Sequence, residues 1–238
     1  ADLWIPVKTG SDGAFWMAVN HVICKEFFVD RQVPYFVEYN KEYTDMPHLL
    51  KFDKHKNGYE MGRYLRAADL PEYKDTDNPE WKFAMWDPQA NKARVVNGGM
   101  GYRYPEKEEN HGKFNTLIRD GETNEDFDTT LTLIDNMDEA FECTFYELDT
   151  GDIYKRQVPV KYIESVEGRI PVTTCFDMQM AHFGVKRAGL SGDYPASYDD
   201  DKSFSPAWQE KYTGIGRDTV IQVAREWANN AEVTNGRS

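Results

Sequence analysis

Apolar residues change their spacing twice along this chain, and that change limits the folds open to it. From Ser11 onward, Ala14, Phe15, Ala18, Val19, Val22, Ile23 and Phe27 recur at steps of three and four, with Asn20, Lys25 and Glu26 outside the stripe. That spacing predicts a long amphipathic helix. A second helix is expected from Pro34 to Tyr43, with Pro34 in its first turn and Tyr35, Phe36 and Tyr39 as its buried face. From about Leu49 to Val172 short apolar or alternating runs take over: Leu49 to Phe52, Trp81 to Trp86, Ala93 to Val96, Thr129 to Ile134, Phe141 to Leu148, Tyr154 to Ile163 and Ile170 to Phe176. The turn clusters Asp87-Pro88-Gln89-Ala90-Asn91, Arg119-Asp120-Gly121-Glu122 and Asp149-Thr150-Gly151-Asp152 separate them, as antiparallel hairpins require.

Helical spacing returns at Met178, Met180, Ala181 and Phe183, closed by Gly184 as a C-cap. Beyond an irregular acidic stretch from Gly189 to Lys202, Ser205-Pro206 marks another helix start. A last helix, Arg217 to Asn230, sets Val220, Val223, Ala224, Trp227 and Ala231 on one face. The expected fold class is α/β in the mixed α+β sense, with helices at both ends and a β-rich antiparallel insertion between them. The boundaries are 1–47, 48–176 and 177–238.

The chain has 238 residues and a formal net charge of -13, which argues against a nucleic-acid backbone or an anionic membrane surface as partner. Cys24, Cys143 and Cys175 lie far apart, with no paired spacing and no neighbouring histidine cluster, so they read as buried thiols rather than metal ligands or a disulfide framework. No stretch approaches the apolar length that spans a bilayer. The chain lacks an initiator Met and opens and closes at the edges of elements, which predicts a piece of a longer polypeptide.

Chemistry-bearing residues are sparse. Leu3-Trp4-Ile5-Pro6-Val7 reads as a short strand feeding Lys8-Thr9-Gly10-Ser11-Asp12 and the first helix. Such a corner offers free backbone N–H groups, a glycine for close approach, Ser11 as cap and Lys8 as charge, which suits an anion. A plain capped helix start is the alternative. Each of the five histidines stands alone; His21 and His182 are expected to be satisfied, partly buried imidazoles, with Met178 and Met180 as core filler. Asp199-Asp200-Asp201 reads as a solvated loop, Asn97-Gly98-Gly99-Met100-Gly101 as a turn or bulge, and Glu106 to Gly112 as a loop. Arg63 and Arg66 suit either an anion or ion pairs.

Several strings together resemble one family. Lys8-Thr9-Gly10-Ser11-Asp12 is similar to the lysine-or-arginine, x, glycine, threonine/serine, aspartate motif of molybdenum enzymes that carry a bis-pterin guanine dinucleotide. Tyr43-Thr44-Asp45-Met46-Pro47, Leu65-Arg66-Ala67-Ala68-Asp69-Leu70, Asn78-Pro79-Glu80-Trp81-Lys82, Ala196-Ser197-Tyr198-Asp199-Asp200 and the run Ser205 to Glu226 resemble the catalytic alpha subunit of respiratory nitrate reductase and of nitrite oxidoreductase.

The resemblance implies a segment of an oxidoreductase that interconverts nitrate and nitrite by oxygen-atom transfer at molybdenum. Relatives acting on perchlorate, chlorate, selenate or a hydrocarbon are the alternative, as is a non-catalytic module when the chain is isolated. It places 1–47 and 177–238 in a dinucleotide-binding-like α/β domain. Lys8, Gly10, Ser11 and Asp12 lie against the guanine dinucleotide tail, and neither catalytic nor metal-ligating residues are assigned to this segment. The implied cofactors are molybdenum bis(pterin guanine dinucleotide) and an iron–sulfur cluster whose ligands lie elsewhere in the parent protein. The implied partners are an iron–sulfur electron-transfer beta subunit and a membrane haem subunit, in a membrane-associated complex where this subunit is peripheral.

Overall fold

The computed structural model describes residues 3–56, 58–96, 118–147 and 151–234; the expectations for Asn97 to Gly101, Glu106 to Gly112, His111 and Asp149-Thr150 fall outside that range. The described residues form helices α1 (Asp12–Ile23), α2 (Pro34–Tyr43), α3 (Cys175–His182), α4 (Pro206–Thr213) and α5 (Arg217–Thr234). Strands are β1 (Leu49–His55), β2 (Gly58–Tyr64), β3 (Ala84–Asp87), β4 (Lys92–Val95), β5 (Glu139–Tyr146), β6 (Ile153–Ser165) and β7 (Gly168–Thr174). This is a mixed α/β protein. It divides into two compact units, one of Ala1–Phe36, Thr144–Gln157 and Gln179–Ser238, the other of Val37–Cys143 and Val158–Met178.

In the first unit α1 packs on α4 and α5. Its stripe meets Ile215, Val220 and Ala224 through Phe15, Ala18, Val19 and Val22, all buried. Past Ile23 the helix widens into a π-helical stretch, Cys24–Asp30, which buries Cys24, Phe27 and Phe28. Ser205 caps α4 by accepting from the Trp208 N–H at 3.1 Å, and Gly214 closes it at φ +74°. Gly184 ends α3 in the same left-handed way at φ +74°. On α5, Val220 and Ala224 are buried, but Trp227 is 59% exposed and sits edge-on to Trp16, with ring centroids 5.2 Å apart. The predicted apolar face is thus real in its middle and bare at Trp227.

A five-stranded antiparallel sheet has the order β2-β1-β7-β6-β5; the second unit holds β1, β2, β7, β5 up to Cys143, β6 from Val158, and the separate hairpin β3-β4. Its core joins Leu49, Leu65, Leu70, Tyr73, Trp86, Leu133, Ile163 and Val172. The sheet curls: Tyr59 of edge strand β2 stacks on Phe141 of the opposite edge strand β5 at 5.0 Å, and Phe52 of β1 meets the same ring at 5.2 Å. At the β3-β4 turn, Asp87 Oδ1 accepts the Gln89 and Ala90 N–H groups, and Asn91 takes φ +51°. Strand β2, with two glycines and the charged Glu60 and Arg63, carries no apolar run and was not expected.

Three other expectations give way. Leu3 to Val7 is not a strand. Pro6 has no N–H to give, the Val7 N–H turns back to the Ile5 carbonyl at 3.0 Å, and Leu3 and Trp4 are exposed. Thr129 to Ile134 is irregular because side chains claim its ladder groups: the Leu133 N–H bonds Asp177 Oδ2 at 2.8 Å and the Leu131 carbonyl accepts from the Thr174 hydroxyl at 2.7 Å. In α2 the buried residue is Lys41, paired with Asp128 at 2.7 Å, while Tyr39 and Tyr43 stack on one another in the open.

Candidate functional site

The first unit contains a cleft of about 520 Å³, lined by Lys8, Thr9, Gly10, Ser11 and the start of α1 on one side. Tyr146, Glu147, His182, Phe204, Trp208 and Tyr212 line the other. One wall is a tight turn. The Ser11 N–H bonds the Lys8 carbonyl at 3.1 Å, with Gly10 at φ +83° in the third position, where a side chain would be strained. A Cβ built on Gly10 or Gly13 meets nothing within 4 Å, so backbone is open at this end of the cleft. The Ser11 hydroxyl does not cap α1 as expected. Ser11 sits at φ -106°, ψ 10°, away from the extended conformation of a cap, and its hydroxyl donates to the Lys8 carbonyl at 2.6 Å.

Lys8 is anchored through its backbone, whose N–H bonds the Thr213 carbonyl at 3.1 Å, and its stem runs over Gly214. A Cβ at Gly214 would stand 3.3 Å from Lys8 Cε. Asp12 is exposed and lies off the cleft lining. The structure therefore brings Lys8, Gly10 and Ser11 into one cleft with the N-terminus of α1, and leaves Asp12 beside it.

The opposite wall is aromatic and built on a buried carboxylate. Glu147 lies just past the end of β5 and accepts from Trp208 Nε1 at 2.8 Å, the Tyr154 hydroxyl at 3.0 Å, and the hydroxyls of Tyr212 and Ser203. Burial alone would raise its pKa; these bonds outweigh it and hold the carboxyl below the ordinary glutamate range. His182 is layered between Phe145 and Phe183, each 5.8 Å away by ring centroid. Burial, helped by the Arg156 charge, lowers its pKa, so it faces the cleft as a neutral ring.

Behind this wall Arg156 is fully buried, donating to the carbonyls of Asp193 at 2.7 Å, Ala181 at 2.9 Å, His182 at 3.0 Å and Ser203 at 2.5 Å. Composition gave no reason to single out Glu147, Trp208, Tyr212 or Arg156. The only signal was the i, i+4 spacing of Trp208 and Tyr212 behind the Ser205 cap, which places both on one helix face.

Other sequence candidates resolve into structure. His21 is buried on α1 with Nδ1 at 2.7 Å from the Phe183 carbonyl, and burial first, then Arg156 and Lys25, lower its pKa to about 4. Met180 is core. Asp199 and Asp201 pair with Arg217 and Lys211, both at 2.7–2.8 Å, and Asp200 bonds the Ala196 N–H. Arg63 pairs with Asp69 at 3.2 Å, and Arg66 bonds the Glu80 carbonyl.

All three thiols are held protonated by burial, Cys24 and Cys143 with pKa pushed up to about 12 and Cys175 to about 11. A larger hollow of about 590 Å³ lies in the second unit, where Lys92 pairs with Glu72 at 2.9 Å, and Lys161 and Arg169 share Asp138 at 3.2 and 3.9 Å. Among the described residues no three His, Cys, Asp or Glu side chains gather as a metal site.

No family model matches the chain. Known proteins do. The nitrate reductase alpha chain of Bacillus subtilis is 37% identical over 240 residues, covering 100% of this chain and 19% of that protein. Respiratory nitrate reductase 1 alpha chain of Escherichia coli is 36% identical over 250 residues, again covering 100% of this chain and 20% of that protein. The chain is a relative of the nitrate reductase alpha chains. It spans about a fifth of the length of these relatives. A perchlorate reductase alpha subunit of Dechloromonas aromatica matches less of it, 32% over 100 residues or 42% of this chain. The nitrate reductase alpha-chain likeness thus takes in both compact units and every residue of the cleft, whereas the perchlorate reductase likeness leaves more than half the chain unmatched.

Proposed function

We propose that this chain is the part of a molybdenum-dependent nitrate reductase or nitrite oxidoreductase alpha subunit that helps to hold a pterin guanine dinucleotide. The observation carrying the proposal is the match to nitrate reductase alpha chains from one end of the chain to the other. The cleft fits the dinucleotide tail. Open backbone at Gly10 and Gly13, and the Asp12 and Gly13 N–H groups ahead of those of Ala14 and Phe15 that bond the Ser11 carbonyl, suit phosphate or ribose oxygens. Lys8 balances phosphate charge; Asp12, exposed beside the cleft, repels phosphate and is left to accept from guanine N–H groups or sugar hydroxyls that reach past the cleft edge. Phe204, Trp208, Tyr212 and neutral His182 give an aromatic wall of edge-on and tilted rings that shuts water from the bound nucleotide.

When bound, the cofactor supplies oxygen-atom transfer between nitrate and nitrite. The segments 1–47 and 177–238 are assigned to the cofactor-binding α/β domain, and 48–176 to a β-rich insertion that enlarges the scaffold. The metal and iron–sulfur ligands are assigned to other parts of the parent protein, which makes the chain alone a holder rather than a catalyst. An iron–sulfur beta subunit and a membrane haem subunit complete the complex. This subunit is peripheral in it, in keeping with the absence, among the described residues, of any helix long and apolar enough to cross a membrane. A perchlorate-reducing relative is the second reading, favoured by the partial match to that alpha subunit.

The test is mass spectrometry of the cofactor in the full-length protein together with turnover of nitrate, nitrite and perchlorate. Pterin guanine dinucleotide and nitrate/nitrite turnover are expected. Turnover of perchlorate alone selects the second reading, and no pterin at all overturns both.

A further inference from the structure

The carboxylate at the back of the cleft has more donors than a mere structural contact needs. Oε1 of Glu147 accepts from Trp208 Nε1 at 2.8 Å and from the Tyr212 hydroxyl at 2.5 Å. Oε2 accepts from the Tyr154 hydroxyl at 3.0 Å and from the Ser203 hydroxyl. The four donors come from three places: β6, the loop before α4, and one face of α4 itself. Trp208 and Tyr212, one turn apart on α4, line the cleft, as does Glu147. The pair shares one oxygen, so the position of that oxygen sets the angle of both rings; their centroids are 4.9 Å apart. Burying an anion without a cation is costly, and a hydrophobic residue of similar volume would pack as well. What such a hydrophobic residue lacks is a fixed acceptor oxygen for Trp208 and Tyr212.

We infer that Glu147 is a positioning residue of the cleft, fixing the rings of Trp208 and Tyr212 against the nucleotide while making no contact with the ligand itself. This deepens the proposed function and rests on it.

The chemistry distinguishes a positioning role from a charge that acts on the ligand. Trp208 Nε1 can only donate, whereas the hydroxyls of Ser203 and Tyr154 can turn round and accept. An amide with its oxygen at the Oε1 position and its NH2 at the Oε2 position therefore keeps Trp208 and Tyr212 in place. Glu147→Gln should rescue what Glu147→Leu destroys.

The experiment uses the full-length protein and measures guanylate released per polypeptide on acid hydrolysis, alongside the melting temperature. Glu147→Gln is expected to keep guanylate within about twofold, and Glu147→Leu to lose about tenfold, the equivalent of one ordinary hydrogen bond to a charged group. Tyr212→Phe, which keeps the ring and loses only the anchor, is expected to lose several-fold without a large change in melting temperature, and it decides the matter if Glu147→Leu does not fold. A Gln variant as empty as the Leu variant would show that the charge itself matters, and overturns the inference. Full guanylate in Tyr212→Phe or in a folded Leu variant overturns it too. Lys8→Ala and Ser11→Ala separate the two levels. If both lose guanylate while the Glu147 and Tyr212 variants keep it, only the positioning role fails; if all keep it, the cleft is not the nucleotide site.

Discussion

Replacing Arg156 by Met should cost the first unit about as much as losing a large core side chain. The guanidinium is wholly buried and donates to four main-chain carbonyls, those of Asp193, Ala181, His182 and Ser203, at 2.5–3.0 Å, between the rings of Tyr154 and Tyr194 at 5.0 and 5.4 Å. Among the described residues no carboxylate is bonded to it, so the hydrogen-bond stabilisation comes from those four carbonyls. Burial lowers its pKa to about 10, which still leaves it charged at neutral pH. At the low end of about 1.5 kcal/mol per charge-assisted bond, the gross loss is near 6 kcal/mol.

Met fits much of the same space and removes a buried charge, which returns several kcal/mol of desolvation. The net expectation is a loss of about 3 kcal/mol, or a fall in melting temperature of about 6–12 °C for a chain of this size. Near-UV circular dichroism during thermal unfolding would measure it. Arg156→Lys, with a shorter reach and fewer donors, should fall between the two. A Met variant that melts within 2 °C or so of the parent would refute the reasoning, because the four carbonyls would then be satisfied without the arginine.

Three further outcomes are expected. His21, with its pKa near 4 in the fold against an ordinary 6.5, binds protons more weakly when folded. Stability should therefore be fully present above pH 6.5 and decline as pH falls toward 4; urea midpoints across that window should flatten in His21→Phe, and an unchanged slope would rule the histidine out. Asp177→Ala removes the acceptor for the Thr132 hydroxyl at 2.6 Å and the Leu133 N–H at 2.8 Å, so it should cost about 3 kcal/mol and speed exchange of the Leu133 amide before that of the β7 amides. Ser205→Ala deletes the cap on α4 and should lower stability by about 1 kcal/mol, read as a shift in the urea midpoint without a change in slope.

Helices were legible because their signals are local. The stripe from Phe15 to Val22, Pro34 in a first turn, Ser205-Pro206 at a start and Gly184 at an end each act within a few residues of where they stand. The hairpin turns at Asp87 and Asp120 were legible for the same reason: each aspartate bonds N–H groups two and three residues ahead. Failures came where a distant group decided the matter. Thr129 to Ile134 has strand composition, yet Asp177 claims its N–H. The stretch Leu3 to Val7 has strand composition too, but among the described residues no strand pairs with it. Strand β2 has two glycines and no apolar run beside its Tyr59 and Tyr64, and is a strand because β1 pairs with it from Tyr64 to Gly58. In the cleft, Lys8, Gly10 and Ser11 were readable from the turn they form. Glu147 was not, since nothing in Phe145-Tyr146-Glu147-Leu148 announces that four donors from elsewhere will converge on it.

The curl that sets Tyr59 against Phe141 has a further consequence. In a flat sheet β2 and β5 would each present an open rim of main-chain donors and acceptors, a template on which another strand can grow into a fibril. Bent so that a ring from each rim covers the other, the rims offer a stray strand less room to dock. Where the rings stack, the sheet's curvature therefore guards the protein's solubility as well as shaping its core.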